Sequence, residues 1–193
     1  MTPPSFITVV SGLPRSGTSL VMQMLAAGGM PLLTDGIRAS DDDNPAGYFE
    51  FEPVKRTRAD ASWLPSAAGK AVKVIYLLLA DLPPAYSYRV LLMRRDLVEV
   101  VRSQQTMLTR RGEVGAGLDA GEMTRVFKRQ LEIVEAWLTA QPSFSVMFLN
   151  YPDVVRDPLP HAKSIQDFLG LDLDTSAMAT AVNPELYRHR RSD

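Results

Sequence analysis

A short glycine-containing segment near the N-terminus constrains the fold more than any other feature of this sequence. Residues 12–19 read GLPRSGTS and lie between an apolar run typical of a buried strand and an apolar run typical of a helix. Gly12 and Gly17 permit a loop whose backbone N–H groups point at one anion, and the following helix adds its positive N-terminal end. Pro14 fixes one φ angle and stiffens the loop. The segment predicts an anion site at the carboxyl end of a first strand.

The rest of the chain predicts strands and helices in alternation. Runs of strand length rich in aliphatic and aromatic residues occur at 6–11, 72–79, 88–93 and 145–150. Helical patterns occur at 18–27, 96–110, 121–138, 162–169 and 175–181. This order favours a P-loop-like, three-layer α/β/α fold with a central, mostly parallel sheet. Residues 31–70 fit neither pattern, and a long irregular segment after the first strand–helix unit is usually functional.

Length and composition limit the class of protein. The 193 residues fit one domain spanning 1–193, and the formal net charge of −1 provides no field that would attract nucleic acid or an anionic membrane. The absence of cysteine excludes disulfides and thiolate chemistry. The N-terminus lacks the basic region of a signal peptide, and the apolar run 72–79 is too short to span a bilayer. We expect a cytoplasmic protein without nucleic-acid or membrane partners.

The glycine loop differs from the P-loop of nucleoside-triphosphate enzymes at one position. Thr18 stands where Gly-x4-Gly-Lys-[Ser/Thr] has lysine, and Ser19 keeps the hydroxyl. That lysine reaches the β- and γ-phosphates, so its absence argues against ATP or GTP hydrolysis. Arg15, earlier in the loop, offers a charged fork to an anion that carries fewer phosphates.

The motif PRSGTS after a strand resembles the 5′-phosphosulfate loop of sulfotransferases that use 3′-phosphoadenosine-5′-phosphosulfate (PAPS). It has the arginine version seen in carbohydrate and tyrosyl-protein members, whereas cytosolic small-molecule members typically carry lysine at the position of Arg15. NPAGYFE at 44–50 is similar to a pattern in bacterial members. The resemblance implies that five residues hold the 5′ side of the nucleotide: Arg15, Ser16, Gly17, Thr18 and Ser19.

A second element supports the same resemblance. Residues 90–103 read VLLMRRDLVEVVRS, and the family's 3′-phosphate element is a strand ending in arginine followed by a helix with serine eight residues later. Arg95 and Ser103 have that spacing, whereas Arg94 does not. Arg95 leaves the strand at the sheet edge, and Ser103 lies just over two turns into a helix capped by Asp96, so both can reach one phosphate.

Weaker matches extend the resemblance over most of the chain. Lys73, in AVKVIY, falls where related enzymes place a lysine at a strand end, although the usual Asp-Pro does not follow. LNYPDVVRDP (149–158), followed by FLGL (168–171), resembles the late Tyr-Glu-Asp-Leu…Asp-Pro…Phe-Leu-Gly-Leu segment, with Pro152 replacing the glutamate. The tail VNPELYRHRR offers Arg188 to the nucleotide, while the glycine-rich nucleotide loop of small-molecule enzymes is missing.

Two carboxylates are candidates for the general base that sulfuryl transfer requires. Asp35 lies twenty residues after Arg15, the spacing at which tyrosyl-protein sulfotransferases place a glutamate, while Glu50 has the full length but no such precedent. We interpret His161 and His189 as helix-start and tail residues. Arg15 and Lys73 would stabilise charge that develops on the leaving oxygen and the sulfuryl group.

The resemblance implies PAPS as donor, adenosine 3′,5′-bisphosphate as product and no metal. The acceptor would be a hydroxyl or amine of a small molecule or glycan, with residues 31–70 on the acceptor side and a homodimer as one way to complete the pocket. DDDNPAG (41–47) is not an EF-hand, because Pro53 stands where the bidentate glutamate belongs. The alternatives are a P-loop kinase or NTPase with Asp81 as metal ligand, and a non-catalytic protein that binds adenosine bisphosphate.

Overall fold

The computed structural model describes residues 5–37, 47–112 and 117–187, and these form five parallel strands with helices on both faces. The strands are β1 (Phe6–Gly12), β2 (Leu32–Leu33), β3 (Ala71–Lys73), β4 (Ser87–Arg94) and β5 (Phe144–Asn150). The helices are α1 (Thr18–Ala27), α2 (Leu64–Ala67), α3 (Leu97–Arg111), α4 (Ala120–Ala140), α5 (Tyr151–Arg156), α6 (Pro158–Leu169) and α7 (Thr175–Thr180). Short 3₁₀ helices occur at Glu52–Arg56, Tyr76–Asp81 and Pro184–Leu186.

The sheet buries apolar side chains on both of its faces. Val10 of β1 packs in a core with residues of α1, α5, α6 and α7. Its neighbour Val9 belongs to a second core, formed with residues of α2 and α4. Successive side chains of a strand point to opposite faces, so a strand covered by helices on both sides becomes a continuous apolar run. The three-layer α/β/α fold predicted from the alternating runs is confirmed.

The strand order, β2-β3-β1-β4-β5, decides which residues surround the glycine loop. Strand β1 is central, with β3 and β4 as its two neighbours, and Val10 is in register with Lys73 while Gly12 is in register with Met93. Because all the strands are parallel, their carboxyl ends meet at one edge. The loop after β1 therefore lies between the last residue of β3, Lys73, and the turn from β4 to α3.

The predicted strand at 72–79 is wrong after Lys73. Strand β3 ends at Lys73, and a 3₁₀ helix follows at Tyr76–Asp81. Tyr76 and Leu79 are buried, whereas Leu77 is half exposed. Residues three apart lie on one face of a 3₁₀ helix, so this apolar run covers the core with a helical period. A short apolar run does not distinguish the two structures by periodicity.

The other differences from the predicted elements are at short or proline-started segments. Helix α6 begins at Pro158, four residues before the predicted start, because proline is well tolerated in the first turn. Strand β2 and helices α2 and α5 were not predicted, and their few residues carry little pattern of their own. Of the helices described, none is both long and apolar enough to span a membrane.

Candidate functional site

The loop between β1 and α1 has the backbone of an anion site. Gly12 has φ 152° and Gly17 has φ 104°, and Arg15 adopts a left-handed conformation with φ 69°, which is uncommon for a residue with a side chain. Helix α1 begins after Gly17 with no side-chain cap and no acidic residue in its first turn. The first N–H groups of the helix and its positive dipole end are therefore available to an anion.

Gly17 is required by packing as well as by its backbone angle. A Cβ atom built on Gly17 would lie 2.3 Å from Cδ2 of Tyr151, the first residue of α5. Tyr151 is a core residue and is only 7% exposed, so its ring has little room to move. The loop thus rests directly on the end of β5, and any side chain at position 17 would push the loop away from it.

We expect Gly17→Ala to destabilise the protein by about 2–4 kcal/mol, because it combines a left-handed backbone penalty of about 1–2 kcal/mol with overpacking against Tyr151. The measurement is the free energy of unfolding in urea, followed by circular dichroism. Gly29→Ala is the matched control, since Gly29 also has positive φ but nothing lies within 4 Å of its built Cβ. Equal losses for the two variants would show that Tyr151 does not constrain the loop.

Three residues that the sequence predicted as nucleotide contacts lie together. The Nε of Arg15 donates to Oγ of Ser103 over 3.0 Å, and Nη1 of Arg95 donates to the carbonyl oxygen of Arg15 over 3.2 Å. Ser103 accepts in this bond, so its own hydroxyl proton remains able to donate. Two arginine hydrogen bonds thus connect the glycine loop with the β4–α3 turn and with the middle of α3.

The Arg95 side chain is almost fully buried, at 7% exposure, and it is held from several sides. Its Nε donates to Oε2 of Glu99 over 2.9 Å, and its guanidinium carbon lies 4.5 Å from the ring centroid of Tyr151 and 5.1 Å from that of Tyr187. Within the described residues, its Nη2 and the hydroxyl of Ser16 are buried without a hydrogen-bond partner. A buried donor without a partner is costly, so each of these atoms is a candidate for a hydrogen bond to a ligand oxygen.

Tyr187 brings the C-terminal segment onto the same cluster. Its hydroxyl donates to Oε1 of Glu99 over 2.9 Å, and its ring packs edge to face on Tyr151 at 5.0 Å between centroids. Burial, followed by the hydrogen bond to Glu99, raises the pKa of Tyr187 to about 12. The phenol therefore stays protonated at neutral pH and keeps donating to the carboxylate.

Lys73, the last residue of β3, lies on the other side of the glycine loop. Its Nζ donates to Oγ of Ser19 over 3.4 Å and to the carbonyl oxygen of Tyr48 over 3.0 Å. Phe49, the residue after Tyr48, has φ 52°, a left-handed conformation that a phenylalanine adopts only under constraint. The lysine thus joins the start of α1 to residues 47–50 of the segment that we expected on the acceptor side.

The two candidate carboxylates occupy different positions. The backbone N–H of Asp35 donates to the carbonyl oxygen of Glu50 over 3.1 Å, so the two residues are neighbours. The Asp35 carboxylate accepts from the backbone N–H groups of Glu52 and Ile37, and these bonds lower the pKa of Asp35. Glu50 lies two residues after the carbonyl group that Lys73 contacts. The Asp35 carboxylate thus holds together the backbone of residues 35–52.

Two competing residues have structural partners. Arg94 pairs with Glu135 of α4 over 2.8 Å, with its guanidinium above the ring of Phe148. Its partners are therefore different from those of Arg95. Asp81 ends a 3₁₀ helix and pairs with Arg58 at 3.3 Å, so it does not follow a strand as the metal ligand of a P-loop kinase would. Among the residues described, no three histidine or acidic side chains form a metal-binding group.

The sequence reasoning missed Glu99, Tyr151 and Tyr187, which together surround Arg95. A signal for Glu99 was present, because it stands four residues after Arg95, in the first turn of the helix that follows. Tyr151 lies in the LNYPD segment but had no role assigned. At the start of α6, Nδ1 of His161 donates to the carbonyl oxygen of Asp157 over 2.8 Å, as expected of a helix-start residue. Arg188 and His189 lie outside the described residues.

The fold is shared with solved sulfotransferase structures. The sulfotransferase domain of the Synechococcus PCC 7002 olefin synthase has 16% identity and a TM-score of 0.54, with 97% of this chain and 81% of that chain covered. A mouse sulfotransferase, SULT7A1, has 18% identity and a TM-score of 0.53 over 92% and 62% of the two chains. A sulfotransferase from Alicyclobacillus acidocaldarius has 16% identity and a TM-score of 0.50 over 96% and 89%.

Sequence comparison adds the family. No curated protein sequence matches the chain. The sequence model of the sulfotransferase family matches residues 47–175, well over half of the chain. That range begins after the glycine loop, so the match and the loop motif are separate observations that point to the same proteins. The chain belongs to the sulfotransferase family.

Proposed function

We propose that this sulfotransferase takes its sulfuryl group from PAPS and transfers it to a hydroxyl or amine of a small-molecule or glycan acceptor. The observation that carries the donor assignment is the convergence of Arg15, Arg95 and Ser103, with one Arg95 nitrogen buried and without a partner among the described residues. An oxygen-rich anion would supply acceptors for that nitrogen. Structures of the mouse sulfotransferase and of a retinol dehydratase contain PAP, which is adenosine 3′,5′-bisphosphate. Their ligand supports PAPS as the donor of this chain.

The proposed roles follow the two ends of the nucleotide. Loop residues Ser16, Gly17, Thr18 and Ser19 would hold the 5′-phosphosulfate with backbone N–H groups and hydroxyls. Arg95 and Ser103 would hold the 3′-phosphate, and Arg188 is proposed as a further contact from the tail. Arg15 and Lys73 have charges near the loop and would stabilise the leaving phosphate oxygen, since fixed charges act most strongly where charge develops.

The reaction is an in-line displacement at sulfur. The acceptor oxygen or nitrogen forms a bond to sulfur while the bond from sulfur to the 5′-phosphate oxygen breaks, and adenosine 3′,5′-bisphosphate leaves. The acceptor proton passes to a carboxylate, for which Glu50 is the first candidate and Asp35 the second. Glu50 is preferred because its side chain is longer and because it stands two residues after the Tyr48 carbonyl group that Lys73 contacts.

We also propose that the 193 residues act as one sulfotransferase domain in which residues 31–70 form the acceptor side. The contact of Lys73 with the Tyr48 carbonyl supports this, because it joins that segment to the loop. Residues 31–70 are a short segment for an acceptor pocket, and a second chain in a homodimer would complete that pocket.

We expect adenosine 3′,5′-bisphosphate to raise the melting temperature of the protein much more than AMP or ATP does. A ligand that binds only the folded state stabilises it by RT ln(1 + [L]/Kd), so a thermal-shift titration ranks the affinities. Arg95→Ala should weaken bisphosphate binding by about 1.5–3 kcal/mol, and Ser103→Ala by less, because the serine contact is uncharged.

The control for this titration is Arg102→Ala, which removes the same charge from an exposed position of α3 next to Ser103. It should leave the preference for the bisphosphate unchanged. Equal shifts with all three nucleotides in the wild-type protein would contradict the PAPS assignment.

A further inference from the structure

Glu99 is a nearly buried carboxylate that the proposed reaction does not use. It is 4% exposed and lies in the first turn of α3, four residues after Arg95, which precedes the helix. Its two oxygens have separate partners, since Oε2 accepts from Nε of Arg95 and Oε1 accepts from the hydroxyl of Tyr187. A negative charge next to a proposed phosphate site is unfavourable for phosphate binding by itself, so its presence there needs a physical reason.

The orientation of Arg95 supplies that reason. Glu99 holds Nε, the carbonyl oxygen of Arg15 holds Nη1, and the rings of Tyr151 and Tyr187 cover the guanidinium group. A guanidinium group is planar, so fixing Nε and Nη1 also fixes the direction of the remaining nitrogen, Nη2. That nitrogen is the one buried without a partner among the described residues.

We propose that Glu99 is a positioning residue that aims Nη2 of Arg95 at the 3′-phosphate and thereby sets the preference for a 3′-phosphorylated nucleotide. This inference rests on the proposed function. The alternative is that Glu99 only neutralises a buried cation. The two roles need different properties of the side chain: positioning needs its length and an acceptor oxygen, whereas neutralisation needs its charge.

Two substitutions separate these properties. Glu99→Gln keeps the length and an oxygen for Nε of Arg95, and its amide group can donate to the Tyr187 hydroxyl oxygen, but it removes the charge. Glu99→Asp keeps the charge but is one methylene shorter, so either the bond to Nε breaks or the guanidinium group shifts. Keeping the charge beside Arg95 also protects the fold of the aspartate variant.

The readout is the ratio of the Kd for AMP to the Kd for adenosine 3′,5′-bisphosphate, measured by calorimetry on the full chain. A purely structural role would change both affinities together and leave this ratio unaltered. We expect Glu99→Asp to lower the ratio by about tenfold, the size of one lost charged hydrogen bond, and Glu99→Gln to keep it within about threefold. In the background of Arg95→Ala, Glu99→Asp should lower the ratio no further.

Tyr187→Phe is the matched control, because it removes the second hydrogen bond of Glu99 but keeps the ring beside Arg95. Its ratio should stay within about twofold of the wild-type value. A low ratio in Glu99→Gln with a normal one in Glu99→Asp would assign Glu99 to charge neutralisation and overturn the inference, as would unchanged ratios in both. If the wild-type protein itself shows no preference for the bisphosphate, the proposed function fails together with this inference.

Discussion

Glu50→Gln is expected to lower the turnover number by about 10²–10⁴-fold while leaving the affinity for adenosine 3′,5′-bisphosphate nearly unchanged. A positioned base accepts the acceptor proton as sulfur is attacked, and glutamine cannot do so. Glu50 follows closely after the Tyr48 carbonyl group that Lys73 contacts, which connects it to the proposed sulfuryl site. The measurement is the steady-state rate of bisphosphate release from PAPS with an acceptor, alongside calorimetric binding of the bisphosphate.

Two variants of the same segment are the controls for this experiment. Asp35→Asn should retain most of the activity, because Asp35 holds the loop through backbone N–H groups and an amide oxygen can still accept one of them. Glu52→Gln changes an exposed carboxylate paired with Lys55, and it should leave the rate unaltered. If Asp35→Asn is the inactive variant, Asp35 is the base. If Glu50→Gln and Asp35→Asn both retain wild-type rates, the base lies elsewhere and His189 is the next residue to test.

Arg15→Ala should lower the turnover number by about 10²–10³-fold, the usual loss when a group that stabilises transition-state charge is removed. Bisphosphate affinity should fall only modestly, because the carbonyl group of Arg15, which Arg95 contacts, remains in the alanine variant. The expected result is thus a lower turnover number at an almost unchanged Kd for the product nucleotide. Rapid-quench measurement of a single turnover separates the chemical step from product release.

Arg15→Lys is the informative companion variant. Lysine keeps the positive charge and should retain much of the activity if charge at the leaving oxygen is what matters, although it loses the fork that reaches Ser103. Arg102→Ala, on the exposed side of α3, controls for a general loss of positive charge. An unaltered turnover number in Arg15→Ala would exclude the proposed role of this residue.

The sequence determined the fold class and the main elements of the site because both depend on local patterns. A strand buried on both faces must be apolar throughout, and a loop whose N–H groups face one anion needs residues such as Gly12 and Gly17. The spacing of Arg95 and Ser103 is also local, because Arg95 stands just before a capped helix that contains Ser103. The predicted fold is confirmed, whereas the roles of these residues at a nucleotide site stay predictions.

The sequence left other features open because they depend on contacts between distant segments. The run 72–79 suits a buried strand and a 3₁₀ helix equally well, and only the end of β3 at the sheet edge decides between them. Sequence left the choice between the two acidic candidates for the base open, because Asp35 has the spacing and Glu50 has the side-chain length. Only the folded backbone of residues 35–52 shows that the Asp35 carboxylate accepts hydrogen bonds from Glu52 and Ile37.

The surroundings of Arg95 show most clearly what only the tertiary structure decides. Tyr187 and Glu99 are 88 residues apart in sequence, yet the Tyr187 hydroxyl donates to Glu99. Both residues lie beside the guanidinium group of Arg95. Tyr151 reaches that group from the end of β5 and also contacts Gly17, so one ring ties the phosphate loop to the arginine. Local patterns specify which residues can bind an anion. The direction in which Arg95 points is set by packing among four separate segments, because each of them restricts a different part of a planar side chain.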